Sequence, residues 1–264
     1  MNIALLGPRG TYSEEAAKKY NKDATLTYCK SNDCIFEKVQ SGEVDEGVIP
    51  IENQLEGTVV ENLDLLFEAD LHITKEIFLP IHHTLITLPE TKKVEMILSH
   101  PQALAQCRKY VKERYPDAKL VETPSTASAL QDLQPGMAVI GSKIGADLHG
   151  LEVKEESIED FKENATRFLV ISKEPSTGKK TSINFIPAGS HEARALWYCL
   201  GCFAINNINL TKIESRPIKE KVWEYLFFID IDGSAEDANV QRALQELEQY
   251  TSSLKVLGSY DGTD

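Results

Sequence analysis

Residues 2–15 read Asn2-Ile3-Ala4-Leu5-Leu6-Gly7-Pro8-Arg9-Gly10-Thr11-Tyr12-Ser13-Glu14-Glu15. An apolar run of strand length meets a turn punctuated by glycine and proline, and a polar stretch opens with a hydroxyl residue. Thr11 and Glu14 stand at capping-box spacing, so a helix is expected from about Ser13. Strand, tight turn and helix in that order are half of a βαβ unit, and they point to an α/β fold built on a parallel sheet. The backbone N–H groups at such a helix start can hold an anion. The turn lacks the Lys-Ser/Thr of a Walker loop and the full glycine pattern of a dinucleotide loop, so by itself it reads most simply as a tight connection.

The same alternation continues outward. Thr25 to Cys29 is followed by a helix ending at Ser41-Gly42, and Glu46 to Ile49 by a helix over Glu61 to Phe67. Leu71 to Phe78 is extended, and the alternation then restarts with Thr84 to Thr87, Val94 to Leu98, a helix from Pro101 to Tyr115, Lys119 to Glu122, a helix from Ser125 to Leu133, and Met137 to Ile140. Arg167 to Ile171 closes this part. Two α/β lobes follow from that order, lobe one over about 1–75 and 160–175 and lobe two over about 76–159, with a cleft between them as the natural ligand site. Residues 176–180 are polar with a glycine and read as a linker. Beyond them the pattern is β (Thr181 to Ile186), α (Arg194 to Ile205), β (Leu210 to Ser215), β (Trp223 to Asp232), α (Ala235 to Tyr250), β (Leu254 to Tyr260), the βαββαβ order of a ferredoxin-like module over 181–264.

Composition bounds the function. The chain has 264 residues, 42% hydrophobic and 26% charged, enough for two domains. Its formal charge of -13 argues against a generic nucleic-acid binder, which needs a basic surface to release counterions. No run approaches the length that spans a bilayer, and the N-terminus has no basic region or cleavage site of a signal peptide. Five irregularly spaced cysteines suit a reducing compartment, so a cytoplasmic protein is expected. Cys199 and Cys202 lie inside an apolar helical stretch and read as core. His82 and His83, adjacent on a strand, point to opposite faces and cannot readily share one metal ion.

Four further segments carry polar chemistry. Ile49-Pro50-Ile51-Glu52-Asn53-Gln54-Leu55-Glu56-Gly57 follows a strand at its carboxyl end, and Asn53 offers both a donor and an acceptor. In Ser99-His100-Pro101-Gln102 the proline suits a first helical turn, Ser99 is placed at the cap, and Gln106 stands about two turns along. Ser125-Thr126-Ala127 opens the next helix. Asn164-Ala165-Thr166-Arg167-Phe168 sets a hydroxyl, a guanidinium and a ring at the return between lobes, and arginine is suited to grip a carboxylate.

Taken together, Gly7-Pro8-x-Gly10-Thr11-Tyr12-Ser13, Pro50-Ile51-Glu52-Asn53 to Gly57, Ser99-His100-Pro101-Gln102-Ala103-Leu104, Ser125-Thr126-Ala127 and Thr166-Arg167-Phe168 resemble the prephenate dehydratase family, and Leu210 to Pro217 resembles the phenylalanine-binding motif of its ACT domain. The resemblance implies a two-lobed catalytic domain similar to type 2 periplasmic binding proteins over 1–175, followed by a ferredoxin-like ACT regulatory domain. It implies decarboxylative dehydration of prephenate to phenylpyruvate without a cofactor or metal, control by L-phenylalanine, and a homodimer or homotetramer. It implies catalytic roles for Thr166, Asn53, Ser99 and Gln106, substrate binding by Thr11, Ser13, Ser125, Thr126, Arg167 and Phe168, and an effector site at Ala195, Leu196, Glu214, Ser215, Arg216 and Pro217. The chain departs from the family at Gln54, where serine is usual, and at Arg194, where glycine is usual. Arogenate dehydratase and a non-catalytic amino-acid sensor on the same fold are the alternatives.

Overall fold

The computed structural model describes residues 1–189, 192–218 and 224–263. In chain order, β1 (Asn2–Leu6) leads through the Gly-Pro turn into α1 (Tyr12–Tyr20), then β2 (Thr25–Cys29), α2 (Asn32–Ser41), β3 (Glu46–Asn53), β4 (Gly57–Thr58), α3 (Val60–Glu68) and β5 (His72–Pro80). Next come β6 (Thr84–Thr87), β7 (Met96–Ser99), α4 (Pro101–Gln106), α5 (Arg108–Arg114), β8 (Lys119–Glu122), α6 (Thr126–Gln131), β9 (Met137–Gly141), α7 (Lys143–His149), β10 (Glu152–Glu155) and β11 (Ala165–Ser172). The last part holds β12 (Lys180–Pro187), α8 (Ala195–Ile205), β13 (Leu210–Pro217), β14 (Tyr225–Asp232), α9 (Ala238–Glu248) and β15 (Thr251–Thr263). Trp223, expected at the start of a strand, lies outside the described residues.

The chain divides into two compact units. The first comprises 1–35, 48–59 and 78–168, and the second 36–47, 60–77 and 169–264. In the first unit β1 pairs in parallel with β2, and β11, β3, β1 and β2 are successive neighbours. A second sheet runs β10-β6-β9-β7-β8, with β7 parallel to both β8 and β9 and β6 antiparallel to β9. Its strands are apolar on both faces, because alternate residues feed two separate cores. Leu85, Ile97, Ala138 and Ile140 pack under α4 and α5 with Leu104 and Val111, while Ile86, Leu98 and Val139 pack under α6 and α7 with Leu130 and Ala146.

Several expectations are corrected here. The helix foreseen over Pro101 to Tyr115 is two helices, broken at Cys107, whose backbone sits at φ -111 and ψ 18. Strand β7 begins at Met96 rather than Val94, and β3 runs on to Asn53, where a loop was expected after Ile49. Helix α7 and strand β10 were not foreseen. Ser99 is not the cap of α4: His100 is, its ring accepting from the Gln102 N–H at 3.3 Å. Pro101 occupies the first helical position, which moves the cap to the residue directly before it.

In the second unit β13-β14-β12-β15 form the antiparallel sheet of a ferredoxin-like module, and β15 continues in parallel pairing onto β5 through Asp261–Lys75 and Gly262–Glu76. One sheet face carries α8 and α9 over a core of Ile183, Phe185, Phe203, Ile229, Ile231 and Leu247. Cys199 and Cys202 are free thiols buried in that core, as expected. α3 belongs to this unit: Arg216 on β13 makes a paired contact with Asp64 at 3.1 and 3.3 Å, and Lys255 on β15 donates to the terminal carbonyls of Leu66 (3.0 Å), Phe67 (3.1 Å) and Ala69. Such a cation at a helix C-terminus satisfies carbonyls that the helix itself cannot pair. Residues 176–180 are packed: Ser176 donates to the Thr74 and Ser259 carbonyls, and a Cβ on Gly178 would stand 2.0 Å from the Tyr260 carbonyl carbon.

Candidate active site

Within the first unit, segments 6–13, 50–59, 100–106 and 124–126, with Ile81, His83, Asn164 and Thr166, enclose a cavity of about 390 Å³. The end of β3 brings Asn53 to it, the start of β11 brings Thr166, and the first turns of α1, α4 and α6 line the rest. Thr11 caps α1 as expected, its hydroxyl accepting from the Glu14 N–H at 3.4 Å. The return half of the capping box has shifted by one residue, since the Glu14 carboxylate accepts from Gly10 N–H at 2.7 Å. Burial alone would raise the Glu14 pKa, but the bonds from Lys18 and Gly10 outweigh it and hold the carboxyl below its ordinary range.

A directed hydrogen-bond chain runs along the cavity wall. The Leu55 and Glu56 peptide N–H groups donate to Asn53 Oδ1 at 3.0 and 3.1 Å, which forces Asn53 Nδ2 to face the other way. That nitrogen donates to Thr166 Oγ1 at 2.9 Å and to Asn164 Oδ1 at 3.0 Å. Asn164 then turns its own Nδ2 to Gln106 Oε1 at 3.1 Å, leaving Gln106 Nε2 toward Glu56 at 3.5 Å. The same Gln106 oxygen lies 2.8 Å from His83 Nε2, so the ring carries its proton there. Bare Nδ1 faces the Tyr12 hydroxyl at 2.8 Å.

Burial lowers the His83 pKa and outweighs the opposing effects of Gln106 and Glu159, so the ring is neutral at pH 7. Burial likewise pushes the Tyr12 phenol well above its ordinary value, helped by Glu15, Cys107 and Glu159, and keeps it a donor. His82 points away, as strand alternation requires. It meets Glu159 at 3.0 Å and its side chain is exposed, whereas His83 is buried.

Of the expected catalytic and substrate residues, Thr11, Ser13, Asn53, Gln106, Ser125, Thr126 and Thr166 line the cavity. Ser99, Arg167 and Phe168 do not. Ser99 ends β7 fully buried, its hydroxyl donating to the Ile140 carbonyl at 2.6 Å. Arg167 follows Thr166 on the same strand, so when Thr166 faces the cavity the guanidinium is sent to the opposite face, where it is 94% buried. Phe168 is buried in the interior. The described residues that line the cavity include no lysine or arginine. Sequence reading missed Tyr12, His83 and Asn164 as wall residues. Asn164 stands two places before Thr166, and an asparagine beside a strand start was the available signal.

Among the described residues, four of the six expected effector residues are divided between two recesses. Ala195 and Leu196 line a recess of about 250 Å³ with Arg194, Trp197 and Phe227. Arg216 and Pro217 line another of about 330 Å³ with Asp64 and Phe67. Glu214 and Ser215 lie on β13 and border neither.

Two α/β sheets beside a polar cavity, with a ferredoxin-like module after them, define an α/β protein with a ligand-sized polar cavity and an appended βαββαβ fold. Residues 3–176 match the family model for prephenate dehydratase. Prephenate dehydratase of Methanocaldococcus jannaschii is 40% identical over 281 residues, with 98% of each chain covered. Arogenate dehydratase 1 of Petunia hybrida is 36% identical, covering 98% of this chain and 66% of that one. The crystal structure of prephenate dehydratase from Arthrobacter aurescens in complex with L-Phe superposes with a TM-score of 0.92 at 34% identity, covering 99% of this chain and 90% of that one. The chain belongs to the prephenate dehydratase family.

Proposed function

We propose that the protein converts prephenate to phenylpyruvate, water and carbon dioxide, as a carbon–oxygen lyase of phenylalanine biosynthesis. The observation that carries this is the 2.9 Å bond from Asn53 Nδ2 to Thr166 Oγ1. A hydroxyl that accepts from an amide has its own hydrogen free for another partner, so Thr166 is set to donate to the hydroxyl leaving the ring. As the C–C bond to the departing carboxylate breaks, its electrons enter the ring and the C–O bond breaks. The ring becomes aromatic, and the released hydroxide takes up a proton to leave as water. The electrons have an internal destination, so no external sink is required. An alcohol is a poor acid, so Thr166 stabilises the leaving oxygen and passes on a proton from water.

Neutral groups hold the two carboxylates: the hydroxyls of Ser13, Ser125 and Thr126, the Gln102 and Gln106 amides, and the first turn of α1, whose leading N–H groups have no intrahelical acceptor and whose cap is Thr11, its own hydroxyl donating to the Leu6 carbonyl at 3.3 Å. Residues 1–175 form the catalytic part, with the lobe limits given above, and 181–264 an ACT module that binds L-phenylalanine. Its split effector residues favour a site completed by a second copy, in keeping with a homodimer or homotetramer. Among the described residues no helix is long and apolar enough to cross a membrane, and a cytoplasmic location suits the free cysteines.

The test is incubation of the purified protein with prephenate, and in parallel with arogenate, following phenylpyruvate and phenylalanine with and without added L-phenylalanine. Prephenate turnover exceeding arogenate turnover is expected, and the reverse makes it an arogenate dehydratase. Thr166→Val keeps the shape and removes the hydroxyl. Its kcat should fall by about 10² to 10⁴, and near wild-type turnover would overturn the role.

A further inference from the structure

We propose that His83 and Tyr12 are positioning residues for the dehydration: His83 holds the Gln106 amide with its NH2 toward the cavity, and Tyr12 holds His83 in the tautomer that does so. The proposal rests on the reading of the cavity as the prephenate site. Gln106 is long and has an oxygen and a nitrogen of nearly equal shape, so packing alone does not decide which faces the substrate. The two donors on its Oε1, His83 Nε2 at 2.8 Å and Asn164 Nδ2 at 3.1 Å, decide it. The opposite rotamer would set Oε1 against the Glu56 carboxylate, now 3.5 Å from Nε2, and would turn an N–H onto the N–H of His83.

The ring must therefore carry its proton on Nε2. Tyr12 supports this from the far side: its hydroxyl lies 2.8 Å from Nδ1 and, when it donates there, stabilises the bare nitrogen. The hydroxyl has one hydrogen, and the His82 carbonyl at 3.0 Å is the acceptor that competes with Nδ1 for it. The ionisable groups around the ring are Glu159, which accepts from the His83 peptide N–H at 2.9 Å, and His82 beside it. His83 is 3% exposed, and the edge of its ring meets Tyr12 at 5.8 Å between centroids, which fixes the plane as well as the tautomer.

A buried histidine in a merely structural role would be replaceable by any side chain that fills the space. A positioning residue needs the donor. Two variants separate these: His83→Leu fills the volume without a donor, and His83→Gln restores an N–H near the place of Nε2. His83→Leu should lose at least about tenfold in kcat with KM moving less, and His83→Gln should recover most of that loss. Tyr12→Phe should lower kcat by a smaller factor. The ring is read directly by two-dimensional ¹⁵N NMR of the histidine-labelled full chain at pH 7 without substrate: His83 should be the Nε2–H tautomer in the wild type and a mixture in Tyr12→Phe.

Equal loss in the leucine and glutamine variants would make His83 a proton carrier, and near wild-type kcat in both would make it a filler; either overturns the proposal. So does an Nδ1–H or doubly protonated ring in the wild type. Should the wild type fail to turn over prephenate, the assigned reaction falls, and with it any positioning role in that reaction. The tautomer measurement, which needs neither substrate nor a folded His83→Leu, still tests the hydrogen-bond chain by itself.

Discussion

Arg194 sits at the start of α8 with φ +86 and ψ -7, a left-handed conformation that costs an L-residue roughly 1 kcal/mol or more. The family resemblance places glycine at this position, so the backbone retains a glycine geometry under an arginine side chain. Arg194→Gly should therefore raise the stability of the protein by up to about 1 kcal/mol by urea denaturation, after the extra freedom of glycine in the unfolded chain is subtracted. A loss of stability would mean that the guanidinium makes a compensating contact. Residue chemistry was legible where a side chain acts through its own type. Asn53 was read as both donor and acceptor, and it is both. Arg167 was read as a carboxylate clamp because arginine suits that task, but residue type does not say which face of a strand a side chain occupies. Thr166 took the cavity face, and period-two alternation sent Arg167 to the other.

Elements were legible where hydrophobic period and punctuation agreed. The βα pairs at 2–20 and 25–41 and the βαββαβ order after residue 180 follow from apolar runs bounded by glycine, proline and hydroxyl caps. The misread elements are short. α7 has a Ser142 cap and a left-handed Gly150 at its end, yet seven residues give too few turns for a periodic signal. The break between α4 and α5 falls at Cys107, a buried residue without a helix-breaking side chain, so packing rather than local propensity sets it. α7 is also held by a close backbone approach. The Ser142 hydroxyl donates to the Gly10 carbonyl at 2.6 Å, and a Cβ on Gly10, already at φ +82, would stand 2.9 Å from Gly145 Cα. A Cβ on Gly145 would meet Leu130 Cδ1 at 2.6 Å and the Gly10 oxygen at 3.2 Å. Gly145→Ala should cost about 1 to 3 kcal/mol by denaturant melt and weaken prephenate binding, because Gly10 precedes the Thr11 cap that lines the cavity. An unchanged midpoint would show that Leu130 gives way freely.

At the scale of the whole molecule, a formal charge of -13 coexists with a cavity proposed to take a dianion. The sequence offered the helix starts at Thr11 and Ser99, the Asn53 loop and Arg167 together as the local remedy. The structure sets Arg167 off the cavity wall, and the described polar lining groups are hydroxyls, amides, a helix start, two histidines and Glu56, with no lysine or arginine. That choice of donors has a consequence for ionic strength. An anion site built on guanidinium or ammonium groups loses affinity as added salt screens the attraction, over a Debye length of about 10 Å at 0.1 M. Here the long-range field repels the substrate, and the short-range donors are neutral dipoles that salt barely reaches. Raising the salt should therefore lower the KM for prephenate or leave it unchanged, the reverse of the usual response. Steady-state kinetics in a salt series would decide it, and a KM that climbs with salt would mean that a cationic group approaches the bound substrate.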